Sequence, residues 1–315
     1  MLRSVLMAVL QVAWPLLQVV RWLWDAWVTV LFVVVAGWRR KISLPPVFNP
    51  VLLLSASQLA HDIRERKLTS LEVVRCYVTR ISNVNPVLNA LTQEDFQGAL
   101  LLARRVDERL DQGYRNGSLT KEWVKTHQPL LGVPFTVTES ISVAGLPHTG
   151  GLLAREGLLA YKDAQVVANL KRAGAIFIGS TNLSELSMWW DSDNPVYGRT
   201  SNPYDTRRSP GERRGRGGAH VCLRDAPQCG HRHGRVYTHA GLLLWTLRAQ
   251  ANSRRGERAW VQPPQDIDTS ALQCPGPLTR HAADLTLVLS VLAGDRAAQL
   301  SLGKKVNPGA VEVFS

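Results

Sequence analysis

The chain has 315 residues, 45% of them hydrophobic and ten of them Trp, enough for one large domain or two small ones with a packed core. A formal net charge of +12 would suit nucleic acid or an anionic membrane, but ten Arg against three acidic residues crowd into 211–258, so the excess belongs to one stretch and not to a basic face. Cys76, Cys222, Cys229 and Cys274 form neither a disulfide framework nor a C-x-x-C pair, and a reducing compartment is expected.

The first predicted element is a long apolar helix. Apolar runs at 5–20 and 26–37 are separated by Arg21 and Asp25, which are four apart and able to pair on one helix face. Together they exceed what one bilayer crossing needs. Arg39, Arg40 and Lys41 follow, against Arg3 before, which favours a cytosolic C-terminal side. No small-residue cleavage site follows the first run. Residues 1–41 are therefore predicted to be a membrane anchor rather than a cleaved signal peptide or a core helix.

Residues 42–54 read as a linker, because Pro45, Pro46 and Pro50 stop any helix. Ser55 with Gln58, and Thr69 with Glu72, have the capping-box spacing that opens a helix. Val73, Val74, Tyr77, Val78 and Ile81 give the second of these helices one apolar face. A third is predicted with Thr92 as its cap, Phe96, Ala99, Leu100, Ala103, Val106 and Leu110 inward, and Gly113 as its stop. The polar stretch 113–128 reads as a loop. Residues 133–137 alternate as a buried strand that enters a loop at 138–140. Asp163 is predicted to cap a helix facing inward through Val166, Val167 and Leu170, with Gly174 at its left-handed end. A second strand follows at 175–179. Strand, helix and strand at this spacing are the βαβ unit of an α/β fold. A last amphipathic helix is predicted at 282–293.

The segments GVPFTV, KDAQVV, AGAIFIGSTN and YGRTSNPYD occur in order. They resemble the amidase signature family, and within it the fatty-acid amide hydrolase type 2 group of membrane-anchored serine hydrolases of lipid amides. The likeness runs over 52–210 and resumes at 272–294. It implies an incomplete amidase-signature fold, a mixed sheet flanked by helices, with residues 55–210 as the N-terminal part of the domain and 265–315 as a resumed, truncated segment. It implies no cofactor. It also implies a relay in which a neutral lysine draws a proton through a bridging serine from a nucleophilic serine, while backbone N–H groups hold the oxyanion. The lysine's position after GVPFTV is Thr138, whose hydroxyl is far too weak a base.

Neither of the family's serine strings, G-G-S-S-G-G-E-G-A-L and G-T-D-I-G-G-S-I-R, occurs. Read one base out of frame, however, 211–219 can encode G-S-A-G-G-E-G-A-L and 230–238 can encode G-T-D-M-G-G-S-I-R. Residues 239–251 can likewise encode M-P-A-F-F-x-G-L-F-G-H-K-P. The observed residues nearly fix the first and third bases of the shifted codons, and Trp245 before Thr246 forces a glycine where the family has one. Residues 211–264 thus look like an off-frame translation of the family's catalytic segment, expected to be disordered. G- and C-rich DNA read off frame gives Arg- and Gly-rich text, so no specific nucleic-acid partner is predicted. Cys222, Cys229, His231, His233 and His239 lie in this stretch, but their spacing fits no usual zinc finger, and no metal is predicted.

The resemblance also places Met188 in an acyl-chain channel, although a Met at that position serves equally as core filling. It puts Thr181 and Asn182 near the serine loop, where they could instead cap the next helix. Ser140 lies close to Thr138 but has no evident base. Two functions follow. One is a membrane-associated serine hydrolase of fatty-acid amides, single-pass or N-terminally anchored on intracellular membranes, whose present sequence lacks its relay. The other is a noncatalytic membrane-bound remnant or interaction protein. The oligomeric state is left open.

Overall fold

The computed structural model describes residues 2–38, 41–210, 246–250 and 274–294. The chain forms two units, 1–42 and 43–315. The first is a single helix, α1 (Leu2–Trp38), which runs on through Pro15. Within it Trp14–Val35, 22 residues, is long and apolar enough to cross a membrane. Arg21 and Asp25 pair along this helix at 3.8 Å, as their spacing predicts.

The second unit is built on a mixed five-stranded sheet in the order β1-β3-β2-β4-β5. Its strands are β1 (Leu91–Glu94), β2 (Pro134–Thr138), β3 (Ile176–Thr181), β4 (Thr246–Gln250) and β5 (Cys274–Gly276). β2 runs parallel to β3 and to β4; β1 and β5 are antiparallel to their neighbours. Every residue of β2 and β3 is buried, as parallel strands covered on both faces must be. Phe135 and Phe177 meet edge to face between them, with ring centroids 5.7 Å apart. The predicted βαβ unit is present: β2, then α6 (Gln165–Arg172), then β3.

The helices around the sheet are α2 (Ala56–Arg64), α3 (Ser70–Leu88), α4 (Phe96–Arg115), α5 (Lys121–His127) and α7 (Ala282–Ala293). Ser55 and Gln58 form the full capping box at α2, and the Thr69 side chain accepts from Glu72 N–H at α3. Two of these N-termini receive a second cap from far along the chain. The carboxylate of Asp284 in α7, fully buried, accepts from the N–H groups of Ala56 and Ser57 and from the Ser57 hydroxyl. That of Asp107 in α4 accepts from Ser70 and Leu71 N–H and pairs with Arg66. Each places negative charge where the unpaired donors and the helix dipole favour it. The linker is docked as well, since Arg80 donates to the carbonyls of Pro45 and Pro46 at 2.6 and 3.2 Å.

Four local expectations are corrected. Thr92 lies in β1, where pairing with β3 overrides its capping chemistry; Asp95 caps α4 by accepting from Gly98 N–H. Gly113 does not stop that helix, which runs to Arg115. It is glycine because Leu119 packs on it, so closely that an added Cβ would sit 2.4 Å from the leucine Cδ1. The stretch 113–128 contains α5, capped by Thr120; with Val124 as its only buried residue, it gave no apolar period to read. Asp163 does not cap α6. It accepts from Ala144 N–H and pairs with Lys171.

Gly174 does take the left-handed position after α6, with φ at +88°, and an added Cβ would lie 2.8 Å from Leu131 Cα. Gly174→Ala is expected to cost about 1–2 kcal/mol for the dihedral alone, with the backbone clash added. Denaturant unfolding of the two proteins measures it; unchanged midpoints would contradict the packing described. Of the basic segment 211–264, only Thr246–Gln250 is described, and it is strand β4 where the sequence led us to expect disorder. The remainder of that expectation lies outside the described residues, as do the segment's cysteines and histidines.

Candidate functional site

In an open α/β sheet, groups that act on a ligand collect beyond the carboxyl ends of the parallel strands. Here that edge is where β2 ends at Thr138 and β3 at Thr181. The two threonines are register partners, so their side chains leave the sheet side by side. Both are fully buried. Neither hydroxyl has a hydrogen-bond partner among the described residues, and the same holds for Ser142 four positions on. Three buried hydroxyls without partners in one small region are unusual, because such groups are nearly always satisfied.

The turn after β2 is tight. Ile141 N–H donates back to Thr138 O and Glu139 N–H to Thr181 O, which draws Glu139, Ser140, Ile141 and Ser142 into the interior. Ser140 is thus buried beside Thr138, as its position predicts. Glu139 is the centre of this region. One carboxylate oxygen accepts from the Thr149 N–H, from the Thr149 hydroxyl at 2.9 Å and from the Tyr197 hydroxyl at 3.2 Å; the other accepts from Gly150 N–H at 2.9 Å. Burial pushes the Glu139 carboxyl above its ordinary range, against the lowering effect of those donors. Burial also pushes the Tyr197 phenol up to about 12, so it stays a donor.

His148 contacts the Glu139 carbonyl through Nδ1 at 3.1 Å, and a carbonyl can only accept, so Nδ1 carries the proton. Burial lowers its pKa, which favours neutral imidazole. The region therefore offers hydroxyls, one carboxyl group and a neutral imidazole, and the position after GVPFTV offers no amine.

Asn182 follows Thr181 but is committed to the fold. Its amide donates to Gly198 O and the Thr200 hydroxyl, and its oxygen accepts from Leu183 N–H and Asn194. It anchors the loop 183–202 rather than capping a helix. Met188 is 72% exposed, so it is not core filling; Trp189 and Trp190 beside it are exposed too. The structure thus gathers Thr138, Ser140 and Thr181 at the ends of β2 and β3, and puts Met188 on the surface. Glu139, His148 and Tyr197 were missed. Tyr197 lies inside the matched motif YGRTSNPYD and Glu139 two residues past GVPFTV, but a motif gives order along the chain and not which side chains converge. Among the described residues, no three His, Cys, Asp or Glu side chains are grouped to hold a metal.

Residues 72–220 match the Amidase family model. The chain is 38% identical over 288 residues to fatty-acid amide hydrolase 2-A of Danio rerio, covering 88% of this chain and 52% of that protein. To fatty-acid amide hydrolase 2 of Homo sapiens it is 38% identical over 273 residues, covering 83% of this chain and 49% of that protein. The chain thus spans about half the length of these curated relatives. Among solved structures, a fatty acid amide hydrolase superposes with a TM-score of 0.60 at 20% identity, over 80% of this chain and 43% of that one. At that identity the likeness is one of fold.

Proposed function

The chain belongs to the amidase signature family, and on that premise we propose that it descends from a membrane-anchored hydrolase of fatty-acid amides and does not itself catalyse that hydrolysis. One observation carries the reading. At the position where the resemblance requires a base, Thr138 presents a buried hydroxyl without a partner among the described residues. A neutral alcohol cannot take a proton from a serine at neutral pH, because its conjugate acid is far too strong. The off-frame resemblance over 211–264 supports the same conclusion, since it removes both serine strings.

The placement is a single-pass anchor on an intracellular membrane. It rests on the 22 apolar residues Trp14–Val35 followed by Arg39, Arg40 and Lys41. The substrate class of the ancestor is lipid amides, taken from the relatives' names. What the present chain retains is the family's fold on a membrane helix, which suits a noncatalytic, membrane-bound role.

Two measurements test this. A soluble reporter fused to residues 1–45 is expected in the membrane pellet and to resist carbonate extraction; a soluble reporter refutes the anchor. The full chain is expected to take no label from a fluorophosphonate, which reacts with activated serines. Strong labelling overturns the inactive reading, and Ser140→Ala is then the first variant to make.

A further inference from the structure

The loop between α4 and α5 holds the chain's one Asn-Gly pair, Asn116–Gly117, with Ser118 after it. All three residues are exposed. Five of the other asparagines precede proline, whose nitrogen carries no proton to give up. Asn116 is the C-cap of α4, and its backbone N–H is bonded to Gln112 O at 3.0 Å. Its side-chain Oδ1 accepts from the Ser118 N–H at 3.0 Å and from the Ser118 hydroxyl at 2.6 Å. The first of these bonds closes a ring that contains both Asn116 Cγ and the Gly117 nitrogen, and folds the side-chain carbonyl over that peptide. Both bonds draw electrons from the Cγ–Oδ1 group, as donors at an oxyanion do. Gly117 has φ at +70° and open space where a Cβ would stand, so no side chain screens its nitrogen. Its N–H has no hydrogen-bond partner among the described residues. A polarised carbonyl thus sits beside an uncommitted nitrogen that water and hydroxide can reach.

We propose that Asn116 is a site of self-modification, at which the Gly117 nitrogen attacks the Asn116 side chain with the Ser118 hydroxyl as the activating donor. Hydroxide removes the Gly117 N–H proton, and the electron pair left on nitrogen forms a bond to Asn116 Cγ. Negative charge passes to Oδ1, where both Ser118 donors hold it. The adduct then expels the side-chain nitrogen, which takes a proton from water and leaves as ammonia. That proton transfer returns the hydroxide. A five-membered succinimide remains. Water adds to one of its two carbonyls and opens the ring, to aspartate or to isoaspartate. Nothing is oxidised or reduced: an amide and water become an acid and ammonia. The outcome matters because this turn sets a packing contact. Leu119 N–H bonds to Gly113 O at 3.0 Å, and the leucine side chain lies over Gly113. Aspartate places a negative charge at the C-terminal end of α4, a small and exposed penalty against the helix dipole. Isoaspartate runs the main chain through Cβ and Cγ, so the link from α4 to Leu119 gains a carbon and the leucine is drawn off its seat.

The test incubates the full chain, in mild detergent and mildly alkaline buffer made with heavy-oxygen water, beside a short peptide of residues 113–119. Digestion at acid pH, where the ring does not form, precedes mass spectrometry of the fragment that contains Asn116. Asn116 is expected to gain the mass of an amide-to-acid exchange with heavy oxygen incorporated, at a rate that rises with pH. The products are expected to separate into two, one of them a substrate for an isoaspartyl methyltransferase. Asn182, buried and bonded through its amide, is expected to stay unchanged. Ser118→Ala keeps the Asn-Gly pair and is expected to slow conversion several-fold. Gly117→Ala sets a Cβ beside the attacking nitrogen and is expected to slow it further. The aged wild type is expected to unfold at lower urea than freshly made Asn116→Asp. A chain that stays unmodified while the peptide converts overturns the proposal, and so does Ser118→Ala converting at the wild-type rate.

Discussion

Thr138→Lys alone is expected to leave the chain unlabelled by a fluorophosphonate and inert toward an oleamide-like amide. Restoring the shifted frame over 211–264 alone is expected to give weak activity. The two repairs together, in a background that supplies the half of the relatives' length not spanned here, are expected to raise turnover by about 10²–10⁴ over the frame-restored form, the usual contribution of a general base. The reason lies at the end of β2. Position 138 is fully buried beside Thr181, so a lysine placed there loses its water, and desolvation lowers its pKa toward a neutral, usable base. A base without a nucleophile does nothing, which is why the single change stays silent. Labelling of the Thr138→Lys chain at a serine outside 211–264 would refute this account.

Glu139→Ala is expected to be among the most damaging substitutions to stability, at about 3–5 kcal/mol. It strips the acceptor from the N–H groups of Thr149 and Gly150, both buried, and each such orphan costs roughly 1–3 kcal/mol. The hydroxyls of Thr149 and Tyr197 lose their acceptor as well. Glu139→Gln keeps the shape but only one accepting oxygen, so it is expected to fall between wild type and alanine. The pH dependence has a definite sign. The folded carboxyl is held above 4.5 chiefly by burial, so the folded state binds its proton more tightly than the unfolded chain does. Its contribution is fully present below the unfolded value and declines as pH rises through the folded one. Relative to Glu139→Gln, the wild type is expected to lose stability as pH is raised from about 4.5. Urea midpoints across that range measure it, and a wild type that gains on the variant with rising pH refutes the assignment.

Much of the fold was legible because its signals are local. The capping box at Ser55 and Gln58 and the left-handed Gly174 each satisfy backbone groups within a few residues, and sequence spacing alone carries them. The same holds for the pairing of Arg21 with Asp25. Failures came where distant groups decide. Asp95 displaced Thr92 as a cap only because β1 pairs with β3, a contact between residues some 90 positions apart in the chain. Gly113 looked like a stop because the leucine that fills its space is not visible in a helical period. The site divided along the same line. Thr138 and Thr181 could be placed at their strand ends, and Ser140 just beyond, from periodicity and motif order. The carboxylate that holds the loops 139–150 and 194–200 together escaped notice, because its four donors come from three other residues reached only after the chain has turned twice.

Asp284 has a consequence for how the fold tolerates change. Its bonds to Ala56 and Ser57 join positions 228 and 227 apart, so they close one of the longest loops in the second unit. Closing a loop of that size costs chain entropy, but the cost grows only with the logarithm of length, about 0.6 kcal/mol per doubling. A seam of this kind is therefore almost indifferent to how many residues lie within it. It is sensitive instead to its own few atoms: a carboxylate, two N–H groups and a hydroxyl. Contacts so distant in sequence slow folding. Insertions between the strands and helices inside the loop are cheap by comparison, whereas changes within a paired strand such as β4 are not.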